Sequence, residues 1–331
     1  MKVEELYQEF EIFDETKFFE KKFNSLWRNI ELVQDVFTKK EFERYFNCST
    51  YLKYVIVKDN NQLHKKLIAA NLCRNRWCEI CNWRRRLKYQ NILLKRIEKI
   101  KKENKVKYIF VTLTIKNSHF LNLKNDLNLI LKAFNKLFKK LLRSNKTILG
   151  YVRSLEFTLQ KNDIEFINLH IHTLILVAPG YFDTSKNYYI NQKKWVELWQ
   201  KYLGVDYTPI VDVRLVKKRA RNKNLTLEEI IVAEVIKYIL KGTDILRLQK
   251  EKRVDIFEVL YKNFKNVRNL SSGGVLTPRY FNQKEQKEEE DLINIKESEI
   301  KGEIVAELEY VLKDKDEGYI LKNIKEVKNE K

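Results

Sequence analysis

An α+β fold, with a central antiparallel β-sheet flanked by helices, is what this sequence predicts, and three observations predict it. Residues 151–159 (YVRSLEFTL) and 166–177 (FINLHIHTLILV) are rich in β-branched and aromatic side chains. They are joined by a polar turn around Lys161–Asp163 and read as an antiparallel hairpin. The segment KYIFVTLTIKN at 107–117 reads as a further core strand, ending at Lys116–Asn117. Residues 122–145 space Leu, Ile and Phe at helical intervals, and 192–203 (just before Gly204) and 226–241 read as helices as well. Strands interrupted by helices, with a hairpin among them, favour α+β.

Taken in order, residues 1–45 read as a charged helical segment with Phe19, Trp27 and Phe37 on its buried side. A strand at 50–57 (TYLKYVIV) opens a 46–105 element that contains the cysteines and a strongly basic helix from near Trp83 to about Lys102. Residues 106–248 form the core with the hairpin, and YTPIVDVRLV (207–216) adds a strand to it. Residues 249–282 extend that core and include NLSSGGVLTPRY, read as a small-residue loop. The charged segment 283–331, with KEQKEEEDL, reads as a solvated helix or disorder.

The 331 residues can bury a real core, and 44% apolar content excludes a wholly disordered chain. Net charge is +20, yet from Lys284 onward there are 10 basic and 15 acidic residues, so the body is more basic than the whole. A basic body with 17 Tyr, 18 Phe and 5 Trp suits a polyanion with faces to stack on. Abundant Lys, Asn and Ile also follow from an AT-rich genome, so charge alone does not decide. The start, MKVEELYQEFEIFDE, has no apolar signal, and no run approaches the roughly 20 residues that span a bilayer. The expectation is a cytoplasmic protein without a membrane partner.

Four cysteines in a reducing compartment are metal ligands or buried thiols before they are disulfides. Cys73, Cys78 and Cys81 follow a C-x4-C-x2-C spacing that suits tetrahedral Zn2+, with Cys48 to complete the set and His64 as the alternative fourth ligand. Buried free thiols are the competing reading. Cys-x-x-Cys also occurs in redox proteins, but here Trp83-Arg84-Arg85-Arg86 follows at once. A metal knuckle beside an Arg-rich helix reads better as a DNA grip, with Arg84, Arg85, Arg86 and Lys88 as its contacts.

Two of only four histidines, His170 and His172, sit on one face of the 166–177 strand. A turn centred near Asp163 places Glu156 roughly opposite His170. Two imidazoles and a carboxylate make a site for a divalent cation that leaves coordination positions open for a phosphate oxygen. The plainer alternative is two half-buried strand histidines, and Glu165, near the turn, is the competing carboxylate.

In VAEVIKYILKGTD, Glu234, Tyr238 and Lys241 share one helical face. A tyrosine can attack a phosphodiester and hold the product covalently. Its ordinary pKa near 10 means it needs a metal, a base or a cation, and Lys241 or Lys237 supplies the last. Glu234 can take a proton from water in a second displacement. An amphipathic helix with a Glu–Tyr hydrogen bond is the bland alternative.

Together these segments resemble the rolling-circle replication initiator (Rep) proteins of small plasmids from Gram-positive bacteria, in the HUH-endonuclease superfamily. FVTLTIKN (110–117) resembles the family's first motif, His170-Ile171-His172 its second, and Glu234-Val-Ile-Lys237-Tyr238-Ile-Leu-Lys241 its third, in the single-tyrosine lineage that pairs glutamate with tyrosine. RSLEFT resembles the segment with the acidic metal ligand, which points to Glu156. CRNRWCEICNWRRRLK resembles the family too, with Glu79 where proline is common. The match spans roughly residues 45–278, in the family's order.

The resemblance implies a 106–248 nicking-and-ligating core with the cysteine element inserted beside it. It implies that Mg2+ or Mn2+ sits on His170, His172 and Glu156, and that Tyr238 cuts one strand of plasmid origin DNA, presented single-stranded or as an extruded hairpin. A 5′-phosphotyrosine and a free 3′-OH would result, with Glu234 serving termination. Lys237 would contact DNA, a host helicase and DNA polymerase would extend the primer, and a homodimer stays open. An HUH transposase or relaxase, and a non-catalytic zinc-containing DNA-binding regulator, are the rival readings.

Overall fold

A computed structural model describes residues 15–60, 62–160, 163, 165–216, 225–236, 245–246, 248–277, 292–293, 302–314 and 317–327. Three helices, α1 (Glu15–Arg28), α2 (Ile30–Gln34) and α3 (Lys39–Phe46), lead into strands β1 (Tyr51–Asp59) and β2 (Gln62–Ala70) and the long helix α4 (Glu79–Glu103). Next come β3 (Lys107–Thr114), β4 (Ser118–His119), α5 (Leu123–Ser144), β5 (Ile148–Leu159), β6 (Phe166–Val177), α6 (Gln192–Leu203) and β7 (Val211–Leu215). Helices α7 (Leu227–Ile236) and α8 (Lys250–Phe264) precede β8 (Leu270–Gly274), and β9 (Glu303–Asp314) and β10 (Gly318–Glu326) follow. The chain divides into two units, residues 1–88 with 289–331, and residues 89–288.

In the second unit the sheet order is β7-β3-β6-β5-β8, with β4 beside the start of β6, and every pairing is antiparallel. The expected α+β architecture is present. Strand alternation gives the sheet two different faces. On one, Phe134 and Phe138 of α5 pack on Tyr151 of β5, and Trp195 of α6 packs on Phe138. On the other, Phe110, Val152, Leu174 and Leu176 share an apolar cluster with Leu93, Ile97 and Ile100 of α4 and Ile231, Val232, Val235 and Ile236 of α7. This second face also carries the histidine pair.

Helix α6 keeps the expected bounds. Asn191 caps its start by accepting from Lys194 N, and Gly204 ends it at φ 70°. The stretch expected to be helical over 226–241 is helix through Ile236, and its remainder lies outside the described residues.

Two expectations are corrected. The small-residue loop contains a strand, β8, at the edge beside β5. Its glycines are what let it lie there. A Cβ on Gly273 would run into the Tyr151 ring, and Gly274 has φ +65°. The charged C-terminal stretch is neither solvated helix nor disorder over 303–314 and 318–326, because β9 and β10 join β1 and β2 in a four-stranded sheet ordered β10-β9-β1-β2. Ala306, Leu308 and Tyr310 alternate inward along β9, while Glu307 Oε2 and Glu309 Oε1 lie 2.8 and 3.6 Å from Lys53 Nζ on β1. The acidic residues are one side of a period-two strand.

Candidate functional site

Cys48 follows α3, Cys73 lies in the loop after β2, Cys78 immediately precedes α4, and Cys81 stands in its first turn. The four sulfurs are buried and converge, with Cys48–Cys81, Cys73–Cys81 and Cys48–Cys78 Sγ separations of 3.6 Å each. Four sulfurs about 2.3 Å from one zinc ion are about 3.8 Å apart at tetrahedral angles, so the spacing fits zinc closely. Backbone N–H groups donate into the cluster, Cys73 to Cys48 Sγ at 3.3 Å, Arg74 to Cys81 Sγ at 3.1 Å and Asn75 to Cys73 Sγ at 3.4 Å. Hydrogen bonds from the other three thiols, joined by Arg74 N–H, hold the Cys81 thiol well below its ordinary pKa, whereas burial lifts that of Cys78. Cys48 completes the set. His64 is exposed on β2, opposite Val57, and stands outside it.

The basic helix corrects two expected DNA contacts. Arg84 is 2% exposed, and its guanidinium donates to the carbonyls of Leu292 and Ile293 at 3.0 and 2.8 Å and lies over Phe19. Lys88 is equally buried. Both follow Cys81 at helical spacing of three and seven residues, so the stripe that brings Cys81 to the other sulfurs turns them inward too. Arg85 and Arg86 are half-buried, and Arg85 is engaged with Asn82 Oδ1 and the Arg74 carbonyl.

The histidine site forms where the hairpin register requires. Glu156 pairs with His170 across β5 and β6, and Ser154 with His172. Oε2 of Glu156 lies 3.5 Å from His170 Nε2 and 3.4 Å from His172 Nε2. Each ring is held from behind, His170 Nδ1 at 3.2 Å from Asn168 Oδ1 and His172 Nδ1 at 3.0 Å from Thr112 Oγ1. The remaining carboxylate oxygen, Glu156 Oε1, is buried and has no hydrogen-bond partner among the described residues. An unsatisfied buried acceptor costs about 1–3 kcal/mol, a cost that a bound cation removes. Two imidazole nitrogens and one carboxylate oxygen form a group that could hold a divalent cation, and three protein ligands leave coordination positions open. Thr112 and Asn168 escape a motif search because they bind no metal. Their places, one strand over from His172 and two residues before His170, are the signal that finds them.

Glu165, the competing carboxylate, instead reaches His119 Nε2 at 3.4 Å on the exposed turn side. Glu234 occupies an exposed position on α7, whose buried face is Ile231, Val232, Val235 and Ile236. Tyr238, Lys237 and Lys241 lie outside the described residues. No helix among the described residues is long and apolar enough to cross a membrane.

A family model described as "Replication protein" (Rep_1) matches residues 64–320. Curated relatives agree. "Protein rep" of Lentilactobacillus hilgardii is 34% identical over 280 residues, 82% of this chain and 86% of that protein. "Protein rep" of Lactiplantibacillus plantarum is 38% identical over 217 residues, 64% and 67% of the two chains. "Protein rep" of Streptococcus pneumoniae serotype 2 is 29% identical over 259 residues, 75% and 77%. No solved structure matches.

Proposed function

The chain belongs to the replication-protein family (Rep_1) of plasmid replication initiators, and on that premise we propose that it starts rolling-circle replication by cutting one strand of origin DNA through Tyr238. The observation that carries the proposal is the convergence of His170 Nε2 and His172 Nε2 on one oxygen of Glu156 whose other oxygen is buried and unpartnered.

The tyrosine oxygen forms a bond to phosphorus as the bond from phosphorus to the 3′ oxygen breaks. The phenol loses its proton, the 3′ oxygen gains one, and the DNA 5′ phosphate stays on Tyr238. Lys237 and Lys241, one residue before and three after Tyr238 in the sequence, favour the phenolate by charge. Glu234 takes the proton of a water that attacks in the terminating cleavage. His170, His172 and Glu156 would hold a divalent cation, which would supply Lewis-acid chemistry at the scissile phosphate. The free 3′-OH primes a host polymerase, with a host helicase opening the duplex. Cys48, Cys73, Cys78 and Cys81 would hold a structural zinc that keeps the first unit folded, and Arg85 and Arg86 are the arginines on α4 left for backbone contacts.

A denaturing gel of the full chain with Mn2+ and labelled single-stranded origin DNA tests this. The expected result is a slow-migrating adduct on the DNA 5′ end that the Tyr238→Phe variant loses while still binding DNA. An adduct that survives the substitution removes Tyr238 from the reaction. Specific binding with no adduct at all would leave a non-catalytic regulator.

A further inference from the structure

Resting on the reading of Glu156, His170 and His172 as a cation site, we propose that Asn168, backed by Asn117, is a positioning residue that makes His170 Nε2 a ligand by holding the ring hydrogen on Nδ1. Asn168 and His170 are two apart on β6 and share a face, which brings Asn168 Oδ1 within 3.2 Å of His170 Nδ1. An amide oxygen only accepts, so Nδ1 must donate, and the lone pair is left on Nε2, the nitrogen that faces Glu156.

The amide itself is held. Asn168 Nδ2 donates to Asn117 Oδ1 at 3.1 Å, and Gln160 Nε2 reaches the same oxygen at 3.5 Å. Turning both asparagine amides over would set Asn168 Nδ2 against Nδ1, move the hydrogen to Nε2 and point it at Glu156, where the cation belongs. The order of the Asn117–Asn168 pair therefore decides whether Nε2 can bind metal. His172 differs in that its Nδ1 meets the Thr112 hydroxyl, a group that both donates and accepts. Partners of this kind behind a metal-ligating histidine are worth about 10–100-fold in affinity.

The test uses the full chain and two readouts, Mn2+ affinity by calorimetry and the ring-nitrogen shifts of His170 in metal-free protein. There are only four histidines to assign. Asn168→Ala is expected to weaken Mn2+ by about 10–100-fold and to give His170 a mixture of tautomers. Asn168→Asp, which can only accept, should keep both the affinity and the Nδ1 hydrogen. Asn117→Ala should weaken Mn2+ in the parent but have no further effect in the Asn168→Asp background, where no amide is left to orient.

A loss of less than about tenfold in Asn168→Ala, an equal loss in Asn168→Asp, or a parent His170 with its hydrogen on Nε2 would each overturn the inference. A parent that binds no Mn2+ at all would sink the metal-dependent reading instead. The tautomer would still judge Asn168, supporting it if the Nδ1 hydrogen is present in the parent and lost in Asn168→Ala, and overturning it if Asn168→Ala leaves His170 unchanged.

Discussion

The cysteine cluster and the histidine pair are both convergent, metal-competent groups, yet their surroundings are opposite. Each cysteine comes from a loop or a helix start, and the four buried sulfurs see one another and backbone N–H groups. The histidines and Glu156 stand on two 12-residue strands whose pairing runs from Ile148–Val177 to Leu159–Ile167. A closed, four-ligand site with little regular structure under it is one that its metal holds together; an open, three-ligand site on a complete ladder is held by the fold and has a position to spare for substrate. Metal removal should therefore unfold the first and merely empty the second.

The largest effect expected is on the closed side. If zinc sits on the four cysteines, stripping it, or Cys78→Ser, should remove a contribution that in small zinc modules is on the order of 10 kcal/mol. Residues 48–86 should become sensitive to proteolysis, and the thermal transition of the first unit should be lost while the strands of the second persist. An unchanged melt after chelation would mean free thiols and would erase the contrast.

Arg84 sharpens it next. Arg84→Met removes the guanidinium that donates to the buried Leu292 carbonyl and to that of Ile293, and should destabilise by about 1–3 kcal/mol without weakening DNA binding. Arg85→Ala should do the reverse, read by melting and by a salt-dependent DNA titration. If Arg84→Met weakens DNA binding with stability intact, the inward stripe is wrong.

How far these sites could be read in the sequence follows from how local their logic is. The pairing of Glu156 with His170 follows from counting residues around one turn, and spacing singles out Cys73, Cys78 and Cys81, whereas the choice of Cys48 over His64 needs the fold. Basic residues on a helix suggest a partner outside, yet Arg84 and Lys88 are buried, on the face that Cys81 as a ligand turns inward. Strand β9 was hidden because charge dominates EIVAELEYVLKD, and its period of two becomes legible only once Lys53 is known to lie opposite. Nothing in LSSGG favours a strand. It pairs because β5 offers an edge and the glycines permit the approach.

On the open side, Glu156→Gln should abolish Mn2+ binding and the covalent adduct while leaving the melting temperature within about 4 °C of the parent, or above it. The buried, unpartnered oxygen makes the carboxylate a burden on the metal-free fold, so a neutral amide costs little there. A large loss of stability would make the histidine site a fold-holding one like the cysteines.

The smallest effect concerns what holds α7, the helix that carries Glu234, on the sheet. Glu228 Oε1 accepts from Lys101 Nζ at 2.6 Å and from Tyr108 OH at 2.9 Å. Burial by itself lifts the Glu228 carboxyl, but the bonds from Lys101, its own backbone and Tyr108 outweigh burial and hold its pKa below the ordinary glutamate value. A carboxyl lowered in the folded state adds stability that is present above the unfolded pKa and is lost as pH falls through the folded one. With Lys101 half-exposed, the pair is worth at most about 1 kcal/mol. Glu228→Gln should therefore lower stability slightly at neutral pH, and the gap between parent and variant should close as the solution is acidified below the glutamate range. A gap that stays constant into acid would mean that the charge contributes nothing and that α7 rests on Ile231, Val232, Val235 and Ile236 alone. In either case the open site depends on many small contributions from its scaffold, where the closed one would depend on a single ion.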